Sequence, residues 1–185
     1  SFEAAAMDHA AFGVDLLFGK TKMIRRFVKE DTWDSIIREA IARHSDFSVG
    51  VIKDMRTMRH AQLIRDADKL DNCRVKLEDS VGVLLGQEAE AVGEQEISQE
   101  VWETCLSRKA VRSADRKTKM DYWVSYLAYF FDVNFSETYS LIQEKQYVDR
   151  IIDRIPYTNE TTRDRMEKLR RILLAYISSK IENNL

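Results

Sequence analysis

The sequence has one proline and six glycines in 185 residues, so little in it interrupts a helix, and that scarcity favours an all-α fold. Cysteine is scarcer still. Cys73 and Cys105 sit in apparently helical segments without metal-ligand spacing, which fits two reduced thiols in a cytoplasmic protein rather than a disulfide framework. No run is apolar and long enough to span a bilayer, and no signal peptide is visible. An excess of positive charge is missing too. Lys plus Arg number 29 against 31 Asp plus Glu, a net charge of -2, which disfavours a dedicated nucleic-acid binder. Phosphate-binding glycine loops, nucleophile elbows and the H-E-x-x-H zinc motif are absent.

What is present reads as one globular domain. Charged residues make up 32% and hydrophobic residues 44%, enough for a real core. Two parts are expected within one continuous domain: residues 1–85, where the polar clusters lie, and a helical extension over 86–185. Asp8 reads as the cap of a short helix, His9 to Phe18, closed by Gly19. Asp31 reads as the cap of Thr32 to Arg43, which ends at His44. Met58 to Asn72 is expected to face the core through Leu63, Ala67 and Leu70, with Ile64 beside them. A separate helix is expected from Val75 to Leu85.

Further along, the Glu-rich stretch Gly86 to Gln99 reads as a solvated linker or a frayed helix end. Ser98 is expected to cap the next helix. A basic run from Arg108 to Lys119 reads as a solvated loop, with a phosphate-attracting rim as the sharper alternative. Thr118 and Asp121 form a capping-box pattern ahead of a segment, Met120 to Phe131, that is apolar almost all round and hence central to the core. Pro156 stops the stripe formed by Val148, Ile151, Ile152 and Ile155, and a last helix is expected over Asn159 to Ile181.

Chemistry concentrates in Arg65-Asp66-Ala67-Asp68-Lys69-Leu70-Asp71-Asn72 and in three histidines. Carboxylates beside a core must pair with cations or hold a metal. On a helical wheel Asp68, Asp71 and Asn72 share one flank, and Asp66 and Lys69 the other. Arg65, one turn before Asp68, could pair with it. His9 opens its helix and His44 closes its own, whereas His60, flanked by Met58 and Arg59, reads as structural. Imidazole nitrogen with carboxylate oxygen suits Mn, Fe, Co or Ni better than a closed zinc site.

Asp8-His9-Ala10-Ala11-Phe12-Gly13, Ile41-Ala42-Arg43-His44 and Ile64 to Asn72 resemble the later motifs of the HD-domain metal-dependent phosphohydrolases. The distal motif of that superfamily often reads Ala-Asp-(Lys/Arg)-Leu-x-Asn, matched here by Ala67-Asp68-Lys69-Leu70-Asp71-Asn72. The resemblance covers roughly the first 75 residues. It implies an HD-domain-like multi-helix bundle, and it selects His9, His44 and Asp68 as metal ligands, with Asp68 preferred to Asp66. It also implies one or two divalent ions (Mn, Fe, Co, Ni or Mg) and a small phosphorylated substrate such as a nucleotide. Asp71 and Asn72 are expected to orient ligands, and Arg65 or Lys69 to neutralise phosphate charge.

The chain departs from the pattern in lacking the upstream His and the adjacent His-Asp couplet. Because the resemblance begins at Ser1-Phe2-Glu3, the expectation is an N-terminally truncated domain. The remaining catalytic residues would then lie upstream of Ser1, and the fragment would have negligible activity. A degenerate HD-like module serving protein-protein contacts or regulation is the competing class. Oligomeric state is left open.

Overall fold

The computed structural model describes residues 9–182. Among them the chain is all-α: ten α-helices and three short 3-10 segments, with no strand. None of these helices is long and apolar enough to cross a membrane. The cap expected at Asp8 and the Ser1-Phe2-Glu3 start of the resemblance lie outside the described residues. The sequence reading divides the chain at residue 85; the structure divides into two compact units, 1–68 and 69–185.

The first unit contains α1 (His9–Phe18), a 3-10 turn (Met23–Arg26), α2 (Asp34–Arg43) and the opening turns of α3 (Met55–Glu78). α1 packs on α2 and on the 3-10 turn. Among its described residues the buried apolar ones are Ala10, Ile24, Ala40 and Ala61, mostly too small to build a deep core. Polar ties supplement them, including the Arg25–Asp34 and Arg43–Glu39 ion pairs. α2 starts two residues later than expected. Its N-cap is Trp33, and Asp31 serves it through a backbone carbonyl that accepts from Asp34 N–H. α3 is capped instead by Asp54, whose carboxylate accepts from the Thr57 amide at 2.7 Å and hydroxyl at 2.6 Å. Those bonds hold the Asp54 carboxyl below its ordinary value, since they favour its charged form.

α3 corrects the sequence reading in two ways. It runs unbroken to Glu78, past the break expected after Asn72. It also turns another side inward: Leu63 is 56% exposed and Ala67 is exposed, while Ala61, Arg65, Asp66, Lys69, Cys73 and Lys76 are buried. Long cationic side chains have apolar stems, so a stripe of them can be covered wherever the charged heads find partners. They do here. Lys69 Nζ pairs with Asp132 at 3.1 Å, and Lys76 Nζ stands 4.2 Å from the centre of the Tyr126 ring.

The second unit contains the large apolar core. It continues with α4 (Val81–Leu85), α5 (Ala89–Gly93), α6 (Gln99–Leu106), α7 (Lys119–Ala128), α8 (Ser136–Glu144), α9 (Tyr147–Ile152) and α10 (Glu160–Glu182). α10 packs on α6, α8 and α9 through Met166, Leu169, Leu173 and Ile177, all fully buried and spaced at helical intervals. α7 supplies Met120, Trp123, Val124 and Leu127, as the all-round apolar pattern predicts.

The Gly86 to Gln99 stretch is not a linker. It forms α5, with Val92 and Gly93 buried. A Cβ on Gly93 would fall 2.2 Å from the Pro156 carbonyl oxygen, and the Gly93 carbonyl accepts from the amides of Thr158 and Asn159. Glycine is required there because two backbones meet.

The capping box at Thr118 and Asp121 is present. Asp121 does more than close it. This fully buried carboxylate also accepts from the amides of Ser98 and Lys117 (both 2.8 Å) and from the Ser98 hydroxyl (2.6 Å). Ser98 therefore opens α6 with its hydroxyl turned to Asp121, not to its own helix. In the basic run, Lys117 pairs with Glu100 and Arg116 stacks over Tyr122.

Cys73 and Cys105 are buried free thiols, each pushed up to about 12 by burial. Only the thiolate attacks electrophiles. Neither cysteine should react with a thiol-specific reagent at pH 8 in the native protein, and both should react after unfolding in guanidinium. Rapid native labelling would contradict this burial.

Candidate metal centre

His9 is the first residue of α1, and His44 follows the last residue of α2. The packing of these helices brings the two rings edge to face, with centroids 4.8 Å apart and Nε2 to Nε2 at 3.0 Å. The His44 ring is oriented from behind, because its Nδ1 lies 2.7 Å from the Ile41 carbonyl oxygen. A carbonyl only accepts, so Nδ1 carries a proton, and in the neutral ring the Nε2 facing His9 has the lone pair.

Asp68, on α3, completes the group. One ligand atom from each of His9, His44 and Asp68 lies within 4.8 Å of the others. His9 is exposed and His44 half-buried, so the cluster is open to an incoming molecule. Two nitrogens bound at ~2.1 Å to one ion stand about 3.0 Å apart at a right angle and about 3.4 Å apart at a tetrahedral angle. The observed imidazole spacing matches the right-angled arrangement, as well as a direct hydrogen bond. Opposite ligands of such an ion would be about 4.2 Å apart, so the span of the trio is close to what one cation bridges. Two imidazoles and a carboxylate are a suitable donor set for a divalent transition metal.

The other motif residues have different surroundings. Arg65 is buried and donates to backbone carbonyls: Nη1 to Arg43, His44 and Asp46, and Nη2 to Phe47. Lys69 is engaged with Asp132. The Asp71 carboxylate accepts from Arg74 at 2.8 Å, which holds its pKa below the ordinary value. Asn72 accepts from Lys76 at 3.5 Å. Asp66 is buried outside the trio, and His60 is exposed beside Met55, Arg56 and Arg59.

Sequence reasoning did not anticipate the carbonyl oxygen of Ile41 as the group that sets the tautomer of His44. Its position one turn before a helix-terminal histidine is the signal that could have found it. No family model matches the chain, and no curated protein or solved structure is significantly similar to it.

Proposed function

We propose that the chain carries part of the metal centre of an HD-type phosphohydrolase, hydrolysing a phosphate ester of a nucleotide or another small phosphomonoester. The observation behind this reading is the convergence of His9, His44 and Asp68, residues distant in sequence, on one small volume. The motif resemblance around all three supports it.

The chain's own contribution is to hold and orient. His9 and His44 each offer an imidazole nitrogen, and the Ile41 carbonyl keeps the His44 lone pair turned inward. Asp68 supplies the negative charge that a dication needs beside two neutral rings. A divalent ion held there would supply Lewis-acid polarisation of a phosphoryl oxygen and activation of a water for attack on phosphorus. Three protein ligands leave room for that water and for substrate, and the exposure of His9 provides the approach. A cytoplasmic setting, in which Cys73 and Cys105 stay reduced, belongs to the same reading.

The test is direct. The purified protein is loaded with Mn, Fe, Co, Ni or Mg, its metal content is measured, and it is assayed against nucleoside monophosphates and simple phosphomonoesters. Stoichiometric metal with metal-dependent phosphate release is the expected result for a competent protein. Metal uptake without turnover indicates a centre that needs further ligands. A second reading, a helical module for protein contacts, has its own observation: the first unit exposes Phe27, Val51, Met55 and Leu63. Absence of both metal and hydrolysis would favour it.

A further inference from the structure

We infer that Arg65 is the positioning residue of this centre, acting on His44 from behind; the inference rests on the metal-site reading above. Arg65 is 4% exposed. Its guanidinium donates to the carbonyls of Arg43 and His44 at 3.3 Å each, to that of Asp46, and to that of Phe47 at 3.3 Å. The first two belong to the end of α2, where backbone carbonyls run out of intrahelical donors, and the other two to the turn that follows it. The Arg43 and His44 carbonyls are at the negative end of that helix, so the buried cation is stabilised by charge as well as by hydrogen bonds.

The placement matters because His44 is the residue at which α2 ends. Its ring reaches Ile41 on one side and His9 on the other, so any fraying of the last turn moves Nε2. Arg65 lies on α3 three residues before Asp68, and residues at that spacing are neighbours on a helix surface. One side chain therefore ties the helix that carries Asp68 to the helix end that carries His44. It sets the spacing between two ligands without being one. Lysine cannot replace it, since a single ammonium cannot span carbonyls distributed over residues 43–47 as a planar fork does. This role also differs from neutralising phosphate, because the guanidinium donors are directed at backbone carbonyls.

The experiment compares wild type, Arg65→Lys and Arg65→Gln by Mn2+ titration, with phosphomonoester hydrolysis at limiting and excess Mn2+, and far-UV circular dichroism as the folding check. The expected result is Mn2+ affinity weakened roughly 10- to 100-fold, as for other groups that orient metal ligands. Where the wild type turns over, the variants' activity should recover at excess Mn2+, with KM for the ester unchanged. A raised KM at unchanged Mn2+ affinity would mean that Arg65 meets substrate, and would overturn the proposal. Loss of helicity in both variants would make Arg65 a folding residue and would overturn it equally. Wild-type protein that takes up no Mn2+ would remove the metal reading and this role together. Tight binding by all three proteins would remove only the role of Arg65.

Discussion

Replacing Asp68 by alanine is expected to abolish metal binding and any metal-dependent hydrolysis together. Asp68 is the only carboxylate in the described trio. Without it, two neutral imidazoles would have to hold a dication alone, with none of its charge offset. The loss should exceed the roughly 10- to 100-fold typical of groups that merely orient ligands. His9→Ala and His44→Ala should each weaken binding strongly, because each removes one of two nitrogens that stand 3.0 Å apart. His60→Ala is the control: it is exposed and outside the trio, so affinity should be unchanged. Isothermal titration with Mn2+ or Co2+ across the set reads the result. Undiminished affinity in Asp68→Ala would sink the assignment.

The largest effect on stability is expected at Asp121, in the second unit. Its fully buried carboxylate accepts from the amides of Ser98, Lys117 and Thr118 and from the Ser98 hydroxyl. Alanine there leaves several buried donors without acceptors, each costing about 1–3 kcal/mol though not additively. A net loss of about 4 kcal/mol is expected, or a melting temperature lower by ~10 °C. Asparagine should not rescue it. Both carboxylate oxygens accept from N–H groups, so either amide orientation sets an NH2 against a donor. Thermal melts of Asp121→Ala and Asp121→Asn decide the matter, and a shift of only a degree or two would refute the account.

These two aspartates also show what could be read from residues alone. The role of Asp121 at its own helix was visible as a capping box with Thr118, because that motif is local. Its bonds to Ser98 were not, since nothing in the sequence pairs positions 23 residues apart. The all-α class, the apolar α7 and the stripe along α10 were legible from periodicity and from the lack of helix breakers. α3 was misread for a physical reason. A pattern that scores Arg65, Lys69 and Lys76 as polar must place them outside, whereas their stems are covered and their heads are paired. Asp31 was misplaced as a cap because an acceptor before an apolar run is common, and only geometry shows which one is used. At the candidate site, His9, His44 and Asp68 were singled out by motif, and they do lie together. The surroundings of Arg65 were hidden, because its partners are main-chain oxygens and every residue has one.

The uneven distribution of apolar burial has a thermodynamic consequence. Residues 69–185 hold the large side chains of the core, while the first unit is closed over small ones such as Ala10, Ala40 and Ala61. A unit with so little hydrophobic cohesion draws a larger share of its stability from whatever binds only its folded form. A ligand at a hundred times its dissociation constant adds about 2.7 kcal/mol. For residues held mainly by polar ties, that increment is comparable to several hydrogen bonds. Ligation by His9, His44 and Asp68 would thus act as a fastener for the part of the chain that supplies them. Amide exchange there should slow on metal addition far more than in the apolar core, coupling metal supply to the integrity of the site.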